Sequence, residues 1–144
     1  MKRKATILLV EDAPDLGLYE AKILEARGHH VLRCGGSPRP FGACPMLRYR
    51  SCALPNAADA IVFSSHLGPF WGQTYRGVDL LRAYRSHPAY GRLPMLVVSL
   101  GPRPQLDGTG PLEFVDKFSS PRAVLDAVDR LLADRPARVA TKEG

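Results

Sequence analysis

Short, almost wholly apolar runs, each stopped by polar residues, constrain this chain more than any other feature. Ala5 to Val10 reads A-T-I-L-L-V before Glu11-Asp12, Asp59 to Ser64 reads D-A-I-V-F-S, and Pro94 to Ser99 reads P-M-L-V-V-S. Runs this short, without polar alternation, suit strands buried on both faces in the middle of a parallel sheet. His30 to Cys34 and Leu112 to Val115 add two further short strands. Between the strands lie stretches of helical spacing. Leu16, Tyr19, Ile23 and Leu24 mark a helix that Gly28 stops, and Val78 to Ser86 marks another. Ser119-Ser120-Pro121 opens the last, whose stripe is Ala123, Val124, Ala127, Val128, Leu131 and Leu132. Strands alternating with helices predict an α/β fold, a doubly wound five-stranded parallel sheet.

Two connections break that rhythm. Pro38, Pro40, Pro45 and Pro55 with Gly35, Gly36 and Gly42 leave room for only a short helix around Met46 to Cys52. Gly101 to Gly110 is equally rich in proline and glycine, so no stable helix is expected there. The folded domain is expected over residues 1–134, with a polar, disordered tail over 135–144.

At 144 residues the chain can bury a core of one domain. No apolar run approaches the ~20 residues of a membrane helix. The basic start Met1-Lys2-Arg3-Lys4 is followed by an apolar stretch that Glu11-Asp12 ends too early for a secretion signal, so a cytoplasmic location is expected. Cys34, Cys44 and Cys52 lack the close pairing of a metal motif and read as reduced thiols; no metal site is expected. The net charge of +6 favours acidic partners, but the Lys and Arg residues are spread along the chain. Solvated surface charge is therefore preferred to a nucleic-acid patch.

In open parallel sheets functional groups gather beyond the carboxyl ends of the strands. Those ends carry Glu11-Asp12, Cys34, Ser64, Ser99 and Lys117. I-L-L-V-E-D, G-V-D-L-L-R, P-M-L-V-V-S and E-F-V-D-K-F, in this order, resemble four motifs of the response-regulator receiver domains, over most of residues 5 to 133. The resemblance implies the flavodoxin-like receiver fold, with the second and fourth helices reduced or missing here. In that family an acidic pair helps hold Mg2+, an aspartate ending the third strand accepts a phosphoryl group, and a hydroxyl and a lysine bind its oxygens. Glu11 and Asp12 match the acidic pair, Ser99 the hydroxyl, Lys117 the lysine and Phe114 the aromatic that responds to phosphorylation.

Ser64 stands where the phosphoacceptor aspartate belongs. Asp59 opens its strand and Asp79 lies in the helix-start motif, so neither replaces it. A serine hydroxyl has a far higher pKa than a carboxylate, and the sequence offers it no adjacent base. The resemblance thus implies a pseudo-receiver: a non-catalytic, phosphorylation-independent signalling module of the two-component type, with no catalytic residue, no cofactor and no retained Mg2+ at Glu11 and Asp12. Lys117 is expected to pair with Glu11 or Asp12, and Phe114 to pack on the sheet. Phe70, Trp71 and Tyr75, in a Gly-rich loop, cover the old site or anchor a partner, unless the loop simply folds onto the core. Tyr84 and Tyr90 are read as surface or edge aromatics. A protein partner is expected, met through the last helix and its neighbouring strand, and a homodimer is compatible with this. A sensor of a small anionic ligand in the altered pocket and a basic nucleic-acid-associated regulator are the alternatives.

Overall fold

The computed structural model describes residues 4–35, 44–49, 52–64, 66–68 and 76–133. Strands β1 (Thr6–Val10), β2 (His30–Cys34), β3 (Ala60–Phe63), β4 (Met95–Ser99) and β5 (Leu112–Asp116) form one sheet in the order β2-β1-β3-β4-β5. Every neighbouring pair is parallel. The apolar runs take the three central places because alternate residues serve opposite faces. Ile7, Leu9, Val62, Leu96 and Val98 belong to one core cluster, and Leu8, Val10, Ile61, Phe63, Met95 and Val97 to the other. With both faces covered, no polar alternation is called for.

Helices α1 (Pro14–Ala26) and α4 (Pro121–Ala133) close the first face with Ala21, Leu24, Ala127, Val128, Leu131 and Leu132. Ser120 Oγ accepts the Ala123 N–H at 3.3 Å, so the serine expected to open α4 does so. The second face is closed by α3 (Gly77–Ser86) and the five-residue α2 (Pro45–Tyr49), through Leu80, Leu81, Tyr84 and Met46. No helix forms between β4 and β5, as the prolines and glycines of that connection predict. Among the described residues no helix is long and apolar enough to cross a membrane.

Two expectations are corrected. Of the stripe read on α1, Leu24 is buried, but Leu16 and Tyr19 are exposed. The helix instead lays Gly17, Ala21 and Leu24 on the sheet. Close approach is the cause: a Cβ at Gly17 would stand 2.9 Å from an Arg33 guanidinium nitrogen and 3.4 Å from Glu11 Cγ. Tyr84 and Tyr90 are core residues rather than surface aromatics. Tyr84 meets the Phe63 ring edge-on, with centroids 6.4 Å apart. Tyr90 keeps its polar tip satisfied by donating to the Cys52 carbonyl at 2.7 Å, with Asn56 Oδ1 at 2.8 Å. Phe70, Trp71, Tyr75 and residues 135–144 lie outside the described residues.

Candidate functional site

The parallel sheet brings Glu11, Asp12, Ser64, Ser99 and Lys117 to one end, at or just beyond the carboxyl ends of β1, β3, β4 and β5. Lys117 is the hub. Its Nζ donates to Glu11 Oε1 at 2.9 Å, to Ser64 Oγ at 3.0 Å and to the Ser64 carbonyl. An ammonium has three protons, and these acceptors take all of them. The other oxygen of Glu11 accepts the Ala13 N–H at 3.0 Å, and Asp12 Oδ1 accepts the His66 N–H at 3.0 Å. Of the two expected partners of Lys117, Glu11 is the one engaged, and Ser64 joins it.

Glu20 completes the group, and the reading of strand ends passes over it because it comes from α1. Ser64 Oγ donates to Glu20 Oε2 at 2.6 Å, so the expectation that Ser64 lacks a neighbouring base is corrected. The serine is wholly buried and Glu20 is half-buried. A signal for Glu20 existed: it adjoins Ala21 and stands one turn from Gly17, on the small-residue face that meets the sheet.

The environment of Glu20 raises its pKa to about 7. Burial is the main cause; the Ser64 hydroxyl opposes it, the Glu11 carboxyl adds to it, and Lys117 opposes it weakly. Its second oxygen, Oε1, is buried without a hydrogen-bond partner, so negative charge on it goes uncompensated. A carboxyl whose folded pKa lies above its unfolded value holds more protons when folded. It therefore stabilises the fold below its unfolded pKa and loses that contribution as pH rises through the folded value. Glu20→Gln, which keeps an acceptor for Ser64, is expected to remove this slope. Urea melts should show variant and wild type converging at about pH 5 and the variant more stable at about pH 8. A wild-type advantage at the higher pH would refute the assignment.

The network faces a cleft of about 310 Å³, walled by Leu16, Leu67, Val98 and Leu100, with Glu11, Asp12, Ser99 and Lys117 at its polar side. Gly77 holds this wall in place. A Cβ there would come within 1.6 Å of the His66 carbonyl, and the Gly77 and Val78 N–H groups bond the Gly68 and Leu67 carbonyls. Phe114 is half-buried, packs against the core, and carries the Arg103 guanidinium 5.1 Å from its ring centre.

A sheet of order β2-β1-β3-β4-β5 with acids after β1 and a lysine after β5 defines the receiver class of α/β fold, and known structures agree. The chain is similar to the signal receiver domain of a signal transduction histidine kinase from Syntrophus aciditrophicus, with a TM-score of 0.63 and 20% identity over 94% of this chain and 97% of that one. It is similar to the chemotaxis response regulator CheY4 of Vibrio cholerae, with a TM-score of 0.61 and 16% identity over 90% of this chain and 99% of that one. A response regulator receiver domain protein from Clostridium thermocellum follows, with a TM-score of 0.59 and 16% identity over 90% and 94%. No family model and no curated protein matches the sequence. At these identities the likeness establishes the receiver fold.

Proposed function

We propose that this chain is a pseudo-receiver, a two-component-type signalling module that acts through protein contact and accepts no phosphoryl group at its own strand ends. One observation carries the reading. The lysine that would meet a phosphoryl oxygen spends all three protons on Glu11 and Ser64. Ser64, at the acceptor position, is buried and donates its hydroxyl proton to Glu20. The network is closed upon itself.

Mg2+ does not fit these residues. Both Glu11 oxygens already serve Lys117 and Ala13, and a hydroxyl stands where a third carboxylate would be needed. Among the described residues no group of three His, Cys, Asp or Glu side chains is arranged to hold a metal. The same closure counts against a small anionic ligand, which would have to displace Glu11 from Lys117. Acids also gather at this end of a basic chain, with Asp15 and Asp116 beside Glu11, Asp12 and Glu20, which disfavours a nucleic-acid backbone here. Protein contact is supported by the apolar rim: Leu16 on α1, Leu100 after β4 at 52% exposure, and Phe118 after β5 at 84%.

The test is incubation with a small-molecule phosphodonor and Mg2+, followed by intact mass. No mass gain is expected. A stoichiometric, hydroxylamine-sensitive phosphoryl adduct would overturn the proposal.

A further inference from the structure

The Ala5 and Thr6 amides at the entry to β1 are both taken by side chains. The Ala5 N–H donates to Nδ1 of His29 at 3.1 Å, and the Thr6 N–H to Oδ2 of Asp59 at 2.8 Å. His29 immediately precedes β2 and Asp59 immediately precedes β3, the two strands that flank β1. The backbone stitches the same places: the Ala5 carbonyl accepts the His30 N–H at 2.9 Å, and the Thr6 carbonyl the Asp59 N–H at 2.7 Å.

His29 is the titratable member of this grip that is almost wholly enclosed, at 4% exposure. Because Nδ1 accepts, the single proton of the neutral ring sits on Nε2, which is buried without a hydrogen-bond partner. The backbone N–H of the same residue donates to the Leu24 carbonyl of α1 at 3.3 Å. Arg27, at the end of α1, pairs with Asp129 of α4.

We propose that His29 is a proton-operated clamp on the entry to β1, which holds Ala5 when neutral and releases it when protonated. An imidazolium carries a proton on each nitrogen, so no orientation of the ring offers the Ala5 N–H an acceptor. The charged groups set around this place are Arg27 from α1, Asp129 from α4, Lys4, whose side chain passes Gly28, and Asp59 on the Thr6 amide. Burial acts most strongly on the ring and lowers its pKa; Asp129 raises it and Arg27 lowers it. With the folded pKa below the ordinary 6.5, the contribution of the clamp is complete above that value and is lost as pH falls below it. Glu20 has the opposite sign and sits at the other end of the sheet, so the two groups respond to acid independently. The clamp acts whether or not the strand ends accept a phosphoryl group.

The test is heteronuclear NMR of the full chain, joined to hydrogen exchange at the Ala5 amide in wild type and His29→Asn. The asparagine Oδ1 can accept the same N–H and takes up no proton in this range. Expected in the folded wild type is the Nε2–H tautomer, titrating below the same ring in urea. Between about pH 7.5 and about pH 5.5, protection at Ala5, corrected for intrinsic exchange, should fall about tenfold more in wild type than in the variant. If His29→Asn does not fold, the tautomer and titration of the wild-type ring decide alone. An Nδ1–H tautomer, a ring that titrates at or above its value in urea, or equal loss of protection in the two proteins would each overturn the proposal.

Discussion

Lys117→Met is expected to destabilise the chain by about 3 kcal/mol at neutral pH, the low end of what breaking a buried ion pair costs. The low end applies because the Lys117 side chain retains 20% exposure, while that of Glu11 is 3% exposed. Methionine keeps most of the stem's volume, so packing changes little. What is lost is the positive charge between Glu11 and the Ser64–Glu20 pair, together with three hydrogen bonds. Glu11 then faces Glu20 with no ammonium nearby.

The sign of the pH dependence separates this account from simple loss of packing. Burial and Glu11 raise the Glu20 pKa, and Lys117, after the Ser64 hydroxyl, pulls it down. Without the lysine Glu20 gives up its proton at higher pH, so ionising the site becomes more costly. The stability gap between variant and wild type should widen from about pH 5 to about pH 8 in urea melts. A gap that is flat with pH, or that narrows as pH rises, would mean that charge is not what Lys117 contributes.

The sheet could be read from the sequence because its central strands need both faces apolar, and A-T-I-L-L-V, A-I-V-F and M-L-V-V have no other comfortable place. The site was legible as far as it sits at strand ends. Glu20 was hidden because α1 shows two candidate faces. Leu16 and Tyr19 imitate an inner stripe, while the true one, Gly17, Ala21 and Leu24, is made of small residues that allow close approach. Tyr84 could have been placed: it follows Leu80 and Leu81 by one helical turn, on the face that α3 buries. In the β4–β5 connection the absence of a helix was visible, but a stretch rich in proline and glycine carries no periodicity from which its replacement could be read.

That replacement depends on Arg85, and Arg85→Met is expected to destabilise the chain by about 2–3 kcal/mol, the range for losing charge-assisted hydrogen bonds from a buried group. Arg85 is 3% exposed. Its Nε donates to the Asp107 carbonyl at 2.9 Å and one terminal nitrogen to the Gly110 carbonyl at 3.1 Å. Burial lowers its pKa, and its other terminal nitrogen has no partner, so removing the charge offsets part of the loss. The Gly91 carbonyl adds two ties, to the Thr109 N–H at 3.1 Å and the Gly110 N–H at 2.9 Å. The connection is thus a coil fastened to α3 and to the turn that follows it. Losing the Arg85 fork should therefore show locally as well as globally. Hydrogen exchange at the Thr109 and Gly110 amides should quicken more than at the β1 and β3 amides, alongside a lower urea midpoint. Unchanged protection at those two amides would show that the connection is held instead by Leu106 on the core and Arg103 on the Phe114 ring.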